Sequence, residues 1–417
     1  MSDYLLKCRG CGHRFETDFY RCPDCGGILE TVYHKKDPEF LADTIRHGES
    51  YWDYQPFFSV KKETEKVTLG EGGTPLVKAD RLAAELEVAG LWVKNEAVNP
   101  SGTFKDRCMS ISFSKARELH APAVVIGSAG NAGAAAAAYA AHAGIPCFVM
   151  VPAATPPQRI AQILLYGAHV IPVRGSVTDC IDLIGEVYQS YGWHNMTTAS
   201  AYNPFQADAE KAIAYEMAKQ MDWGVPDWIA VPVGGGGILT GIYKGFKDLY
   251  DLKLTDRLPR MIGTQESGCC PLVRAFEAKK SPDQIERVEE VTGIAVAIAD
   301  AFPLDGETAL AAIYGSHGYA GAATDEEILQ AQALLGRTEG VFAESASSTT
   351  VAVVKKLRAA GVIRPEDTVA CVVTGSGLKE LSLTAEHIVM PEPVELDVAS
   401  LRARIETEYC FRPKIEV

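Results

Sequence analysis

Short apolar runs alternate with longer amphipathic stretches from about residue 91 onward, and this alternation constrains the fold more than any other feature of the sequence. The apolar runs are rich in valine and isoleucine, as expected of parallel strands that are covered on both faces. These runs are Ala123–Gly127, Pro146–Pro152, His169–Val173, Trp228–Val233, Met261–Thr264 and Thr368–Thr374. The stretches with helical spacing are Gly133–Ala143, Gln158–Tyr166, Ser176–Tyr191, Ala207–Met221 and Asp325–Leu335. Repeated strand–helix–strand units predict an α/β protein built on parallel sheets.

Composition narrows the possible classes of protein. A chain of 417 residues is long enough for two or three domains. Its 47% hydrophobic and 23% charged residues match ordinary globular proteins, which excludes a disordered or fibrous chain. The net charge of −14 argues against a nucleic-acid or acidic membrane partner. We find neither a bilayer-spanning apolar run nor a signal-peptide pattern, so the cytoplasm is the expected compartment.

Four cysteines lie in the first 25 residues as two Cys-x-x-Cys pairs, Cys8 with Cys11 and Cys22 with Cys25. Glycine and proline beside each pair allow the backbone to bend around a cation, and four thiolates suit tetrahedral Zn²⁺. The pattern predicts a small zinc ribbon with a structural metal, because protein thiolates fill all four coordination positions. The alternative is four reduced cysteines on an apolar hairpin. We expect the other seven cysteines to be reduced and mostly buried.

Four loops that follow apolar runs carry residues that could react with or bind a ligand. Parallel sheets bind their ligands at the carboxyl ends of their strands. Lys105 opens a helix after a turn, and the helix dipole there favours a neutral, nucleophilic amine. Asn131 ends a turn of small residues, and Thr374 adds a hydroxyl after another strand. The four glycines from Gly234 to Gly237 can wrap an anion at a helix N-terminus, yet they match neither the P-loop nor the Rossmann pattern. Each feature alone has an ordinary reading as a surface lysine or a tight turn. Together, a reactive amine, an amide, a hydroxyl and a phosphate-binding loop match the groups on the four edges of pyridoxal phosphate.

The sequence resembles the fold-type-II pyridoxal-phosphate enzymes, and most closely the threonine synthases. The similar segments are LGEGGTPLV, NPSGTFKDR, SAGN, NPF with EKAIAYE, PVGGGG, ATDEEILQAQALLGRTEGVFAESAS and TGSGLK. The first of them is a glycine-rich loop at 69–76 that could close over a ligand. The resemblance covers nearly the whole chain, and some family members also carry an N-terminal cysteine ribbon.

The resemblance implies a fold and a domain organisation. It implies two parallel-sheet α/β domains of the tryptophan synthase β-subunit-like architecture, plus the small ribbon. The ribbon would span residues 1–30. The large cofactor-phosphate-binding domain would combine 31–98 with 207–417, and the smaller substrate-side domain would span 99–206. A homodimer is expected by analogy with this family.

The resemblance also implies residue roles around pyridoxal 5′-phosphate. Lys105 would hold the cofactor covalently and then act as acid and base. Asn131 would hydrogen-bond the ring hydroxyl, and Thr374 would face the ring nitrogen. Gly234, Gly235, Gly236 and Gly237 would cradle the cofactor's phosphate. The N–H groups of Ser128, Ala129 and Gly130 would meet the carboxylate of an amino-acid substrate.

The sequence departs from the threonine synthase pattern where that family holds the substrate's phosphate. Ala132 stands at a usual threonine, Ser200 at a usual asparagine and Gln206 at a usual arginine. The usual E-G-Q-K-T segment reads DAEKA, starting at Asp208. An arginine grips phosphate in a bidentate manner that glutamine cannot reproduce. Other cations, such as Lys211 or Arg159, could have taken over this role.

Three functions therefore remain open at this stage. The best match is a threonine synthase, which forms L-threonine and phosphate from O-phospho-L-homoserine and water. The second is a β-eliminating lyase or ammonia-lyase on threonine, serine or a related hydroxyamino acid, or a β-replacement synthase. The third is a protein that only binds a phosphorylated ligand and uses the ribbon for a protein partner.

Overall fold

The computed structural model describes residues 4–34, 37–388 and 390–410. These residues form one compact unit that ends at Lys379 and a second that begins at Glu380. The strands are β1 Tyr4–Cys8, β2 Arg14–Phe15, β3 Leu29–Tyr33, β4 Leu76–Lys78, β5 Gly90–Asn95, β6 Val124–Gly127, β7 Cys147–Pro152, β8 His169–Val173, β9 His194–Asn195, β10 Trp228–Pro232, β11 Arg260–Glu266, β12 Tyr319–Ala323 and β13 Thr368–Val373. The division into ribbon, large domain and small domain stays a prediction.

Helices connect most of these strands. The α-helices are α1 Pro38–His47, α2 Asp80–Glu85, α3 Lys105–Glu118, α4 Asn131–Ala143, α5 Pro157–Leu165, α6 Val177–Tyr191, α7 Lys211–Gln220, α8 Gly237–Asp251, α9 Pro271–Glu277, α10 Gly306–Gly315, α11 Asp325–Glu339, α12 Ser345–Ala359, α13 Leu381–Glu386 and α14 Val398–Thr407. Short 3₁₀ helices occur at Tyr51–Phe57, Glu96–Val98, Pro204–Gln206, Pro282–Gln284, Val296–Ile298 and Gly377–Glu380. In the part of the chain that is described, every helix is too short or too polar to span a bilayer.

The largest sheet has six strands in the order β12-β11-β10-β13-β5-β4. All neighbours are parallel except the edge strand β4, which runs antiparallel to β5. Helices α8, α9 and α10 pack on one face, and α2, α11 and α12 cover the other. Strand β10 is buried at every residue because both of its faces are covered, which accounts for its continuous apolar sequence.

A second sheet has four parallel strands in the order β8-β7-β6-β9. The alanine-rich α4 packs against β6 and β7 on one face, and α6 packs on the other. The edge position of β8 explains its largely exposed residues and its tolerance of Pro172, which has no N–H to donate.

The cysteine-rich segment forms a third sheet, with the antiparallel order β2-β1-β3. It rests on the rest of the first unit through a small apolar cluster that includes Leu6, Leu29 and Phe205. Polar contacts add to this packing. The Tyr33 hydroxyl donates to Asp208 Oδ2 at 2.9 Å. This sheet therefore lies against the segment that follows β9.

The predicted α/β fold with parallel sheets is confirmed, and all six predicted strands are present. The predicted helix Ala207–Met221 is shorter in the structure, because a 3₁₀ turn and further turns precede Lys211. Helix α11 begins where Thr324 caps it, with Glu327 completing a capping box. Helices α9, α10 and α12 and strand β12 were not predicted from the sequence.

Candidate active site

Lys105 lies where two cavities meet. It is the first residue of α3, and its Nζ donates to Thr198 Oγ1 at 3.2 Å. The larger cavity, of about 650 Å³, lies at the carboxyl ends of β6, β10 and β13. The smaller one, of about 30 Å³, lies towards the cysteine-rich sheet. We call them the large cavity and the small cavity.

The large cavity brings together every residue that was predicted to bind the cofactor and three that were predicted to bind the substrate carboxylate. Lys105 begins α3, and the others lie in the loop or helix start that directly follows a strand. Together these residues are Lys105, Ser128, Ala129, Gly130, Asn131, Gly234, Gly235, Gly236, Gly237 and Thr374. A volume of this size suits a small organic ligand. Their roles in binding stay predictions.

Two residues of the glycine loop between β10 and α8 are too closely packed to carry side chains. Gly236 has φ of 102°, and a Cβ there would lie 2.8 Å from the Asp305 carbonyl oxygen. A Cβ on Gly234 would lie 2.9 Å from Asp300 Oδ2. The loop precedes Gly237, the first residue of α8, so its N–H groups lie at the positive end of that helix. This geometry fits the phosphate of pyridoxal phosphate.

A buried carboxyl, Glu344, connects two of the predicted residues. Asn131 Nδ2 donates to its two carboxyl oxygens at 3.0 and 3.2 Å, and Thr374 Oγ1 donates to Oε1 at 3.5 Å. Ser347 also holds Thr374 in place, because Thr374 N donates to Ser347 Oγ at 2.9 Å. Burial raises the pKa of Glu344. Its hydrogen bonds from Asn131 and Thr374 lower the pKa but do not cancel the rise. Sequence reasoning missed Glu344, although it lies in the similar segment that ends in FAESAS.

Of the two cations that the sequence offered as alternative phosphate ligands, one lines the large cavity. Arg159 lies beside the turn after β6, with its Nη2 3.4 Å from the position of a Cβ on Gly130. It is thus close to the predicted carboxylate site. Lys211, the other cation considered from the sequence, lines neither cavity and pairs instead with Asp248 at 3.1 Å.

The small cavity holds Ser200 and Gln206, the remaining predicted substrate residues. Gln206 Nε2 donates to the Thr197 carbonyl at 2.6 Å. Glu210 also lines this cavity, and burial raises the pKa of its carboxyl to about 7 although Lys105 opposes the rise. Sequence reasoning missed Glu210. The available signal was the glutamate that stands in place of the glutamine of E-G-Q-K-T.

An ion-pair network lies beneath the start of α3. Arg107 Nη1 contacts Glu216 Oε1 at 2.7 Å, and Arg107 Nε contacts Glu96 Oε2 at 2.7 Å. Lys94 Nζ also reaches Glu216, at 2.7 Å. All four side chains are almost completely buried. The network fixes the helix that carries Lys105.

The glycine-rich loop at 69–76 differs from its sequence interpretation as a segment that closes over a ligand. None of its residues lines either cavity. Gly73 N donates to Glu216 Oε1 at 3.0 Å, which ties the loop to the ion-pair network. Tyr139 donates to Glu71 Oε2 at 2.7 Å and ties it to α4. The loop therefore stabilises the site through the ion-pair network and α4, without lining either cavity.

The four N-terminal cysteines converge in the third sheet. Their sulfurs lie within 4.8 Å of one another. Cys8 Sγ is 3.5 Å from Cys25 Sγ, and Cys11 Sγ is 3.6 Å from Cys22 Sγ. Cys8 and Cys22 are buried, whereas Cys11 and Cys25 are exposed.

Comparison with known proteins assigns the chain to a family. The family described as "Pyridoxal-phosphate dependent enzyme" matches residues 67–375, which include every cofactor residue predicted above. This chain belongs to that family. Pyridoxal phosphate is therefore its cofactor, and the predicted enzyme class, a pyridoxal-phosphate-dependent lyase, is confirmed. Membership also argues against the hypothesis of a protein that only binds a phosphorylated ligand.

Curated members of the family are similar over almost the full chain. Threonine synthase of Methanocaldococcus jannaschii is 38% identical over 404 residues, covering 95% of this chain and 98% of the relative. Threonine synthase of Methanosarcina acetivorans is 38% identical over 406 residues, covering 96% and 98%. Among solved structures, the processed form of threonine deaminase isoform 2 from Solanum lycopersicum has a TM-score of 0.65 at 17% identity, covering 87% of this chain and 92% of that one. This structural likeness confirms the fold-type-II architecture and no more.

Proposed function

We propose that the protein is a threonine synthase, which converts O-phospho-L-homoserine and water into L-threonine and phosphate. The similarity to threonine synthases along more than nine-tenths of the chain carries the proposal. The meeting of Lys105, Asn131, Thr374 and the four glycines at one cavity supports it.

Each residue of the large cavity has a defined task in this proposal. The bound cofactor supplies an electron-withdrawing ring that stabilises negative charge at the carbons of an amino acid. The N–H groups of Gly234–Gly237 would hold its phosphate, Asn131 would orient the ring, and Thr374 would offer the ring nitrogen a hydroxyl that does not protonate it. Lys105 Nζ moves protons to and from the substrate carbons, since it faces both cavities.

One observation favours a second candidate, a β-eliminating lyase that acts on threonine, serine or a related hydroxyamino acid. Gln206 is neutral where a phosphate-binding threonine synthase carries an arginine, and Ala132 lacks the hydroxyl of the usual threonine. A hydroxyamino acid has no γ-phosphate and needs no cation there. A β-replacement synthase shares this requirement.

A substrate panel with the purified holoenzyme separates the candidates. We expect O-phospho-L-homoserine to give equal amounts of phosphate and threonine, and Lys105→Ala to give neither. Threonine and serine are tested in the same assay for release of a 2-oxoacid. Faster 2-oxoacid release than phosphate release would favour the second candidate and contradict threonine synthase.

We also propose that the four-cysteine cluster binds one structural Zn²⁺. A tetrahedral ion with Zn–S bonds of about 2.3 Å holds its sulfurs about 3.8 Å apart. The observed 3.5 and 3.6 Å separations are close to this value. Metal analysis of freshly reduced protein should give one zinc per chain, and Cys22→Ser should lose it. A metal-free native protein would contradict the proposal.

A homodimer and a cytoplasmic location complete the proposal. The homodimer rests on analogy within the family and is tested by light scattering of the holoenzyme. The eleven cysteines are all free, which is typical of a reducing compartment. Fractionation of the native cells tests the location.

A further inference from the structure

Two cations from distant parts of the chain meet at the small cavity. Arg9 lies on the cysteine-rich sheet directly after Cys8, and Lys244 lies on α8. Each cation is also paired with a carboxylate: Arg9 Nε lies 3.6 Å from Glu30 Oε2, and Lys244 Nζ lies 3.0 Å from Asp208 Oδ1.

Both cations act on one carboxyl, that of Asp305. Burial raises the pKa of Asp305, and Ser200, Arg9 and Lys244 oppose that rise. Ser200 donates to Asp305 twice, through its N–H at 3.1 Å and through its hydroxyl at 2.5 Å. The small cavity thus contains a set of donors and positive charges that act on a carboxyl group of the protein itself.

Gln206 does not supply the missing positive charge. One of its amide hydrogens is engaged with the Thr197 carbonyl, and among the described residues its buried Oε1 has no hydrogen-bond partner. An unpartnered acceptor repels a phosphate oxygen. Apart from Lys105, which lines both cavities, the groups that can recognise an anion in this cavity are Arg9, Lys244 and Ser200.

The size of the cavity shows what must happen when a larger anion enters. About 30 Å³ is room for roughly two water molecules. A phosphate group does not fit while the Asp305 carboxylate stays in place. Rotation of that side chain would release the Ser200 N–H and hydroxyl and enlarge the cavity that the two cations line.

We propose that the small cavity is an anion subsite in which Arg9 and Lys244 recognise the phosphate of the substrate and Asp305 occupies its place beforehand. This inference rests on the proposed function and extends it. It makes the cysteine-rich sheet a contributor to substrate recognition, because Arg9 is held by the same strand end as Cys8.

Binding of inorganic phosphate to the holoenzyme tests the subsite, and we would measure it by titration calorimetry. Arg9→Gln should weaken phosphate binding by about tenfold or more, because a charged hydrogen bond is lost. Arg9→Lys should retain much of the affinity, which shows that a loss in Arg9→Gln is not misfolding. Asp305→Asn should tighten phosphate binding, because the competing charge is gone. Arg14→Gln, an exposed arginine on the same sheet, is the matched control and should change nothing.

The same variants are then assayed with O-phospho-L-homoserine. Arg9→Gln should raise KM more than it lowers kcat. Phosphate affinity unchanged in Arg9→Gln, or weakened in Asp305→Asn, would overturn the inference. Failure of the proposed function gives a different result. A native enzyme that binds phosphate through Arg9 but forms no threonine would contradict the named reaction and leave the subsite intact.

Discussion

The large cavity beside Lys105 is lined mainly by loop backbone and small residues, whereas charged side chains line the small cavity. The large cavity uses turns that directly follow β6, β10 and β13. The small cavity takes Arg9, Glu210, Lys244 and Asp305 from four remote segments. Backbone donors at strand ends suit a cofactor that the family shares. Side chains from remote segments can change one at a time, and we therefore expect them to decide the substrate.

Removing the amine that serves both cavities has the largest expected effect. Lys105→Ala should lower turnover about a thousandfold or more, because the covalent anchor and the proton carrier are lost together. A steady-state assay of phosphate release measures the change. Lys78→Ala, an exposed lysine on β4, is the control. Turnover within tenfold of native would mean that another amine serves the cavities.

The ion-pair network beneath α3 provides the next largest effect, because it holds the residue that joins the cavities. Lys94→Met should lower the free energy of unfolding by about 3 kcal/mol or more, since it leaves buried Glu216 without one of its partners. The matched control is Lys356→Met, which removes an exposed pair with Glu327 and should cost about 1 kcal/mol or less. Denaturant unfolding compares the two. Equal losses would show that the network is not needed to hold α3.

A side chain in the glycine loop should damage the large cavity alone. Gly236→Ala should cost about 2–3 kcal/mol and weaken cofactor binding, because φ is 102° and the new Cβ would meet the Asp305 carbonyl. Gly336→Ala on the exposed face of α11 is the control, and we expect it to stabilise the protein by up to about 1 kcal/mol. Cofactor titration and thermal unfolding measure both effects. Normal cofactor affinity in Gly236→Ala would remove the argument that this backbone must be bare.

A smaller effect should come from the pH dependence of the small cavity. Glu210 keeps its proton in the folded chain up to about pH 7, whereas the unfolded chain releases it near 4.5. The folded state then binds more protons between these values, so Glu210 lowers stability as the pH rises through this window. In Glu210→Gln, the free energy of unfolding should therefore fall by about 1–2 kcal/mol less over this pH window than in the native protein. Unfolding at pH 5 and pH 8 measures it, with exposed Glu326→Gln as control, and an unchanged slope would place Glu210 in a watery environment.

Sequence reasoning succeeded where the local pattern and the tertiary environment agree. The buried strands carry continuous apolar runs, and the helix predicted at Asp325–Leu335 is present as α11. It failed for α12, which begins with hydroxyl-bearing and β-branched residues that form helices weakly. Its first ten residues are buried against β10, β11 and β13, so packing outweighs propensity there.

The sequence by itself determined the α/β architecture, the family, the cysteine cluster and the predicted cofactor residues that line the large cavity. It could do so because each depends on spacing within a few residues, where a strand end, a glycine and a helix start follow one another. Only the tertiary structure placed Arg9, Lys244 and Asp305 together and brought Glu344 to Asn131 and Thr374. Glu344 is 213 residues from Asn131 along the chain. Contacts over such separations arise from the packing of sheets and helices, and the residues that make them carry no local signal of their partners.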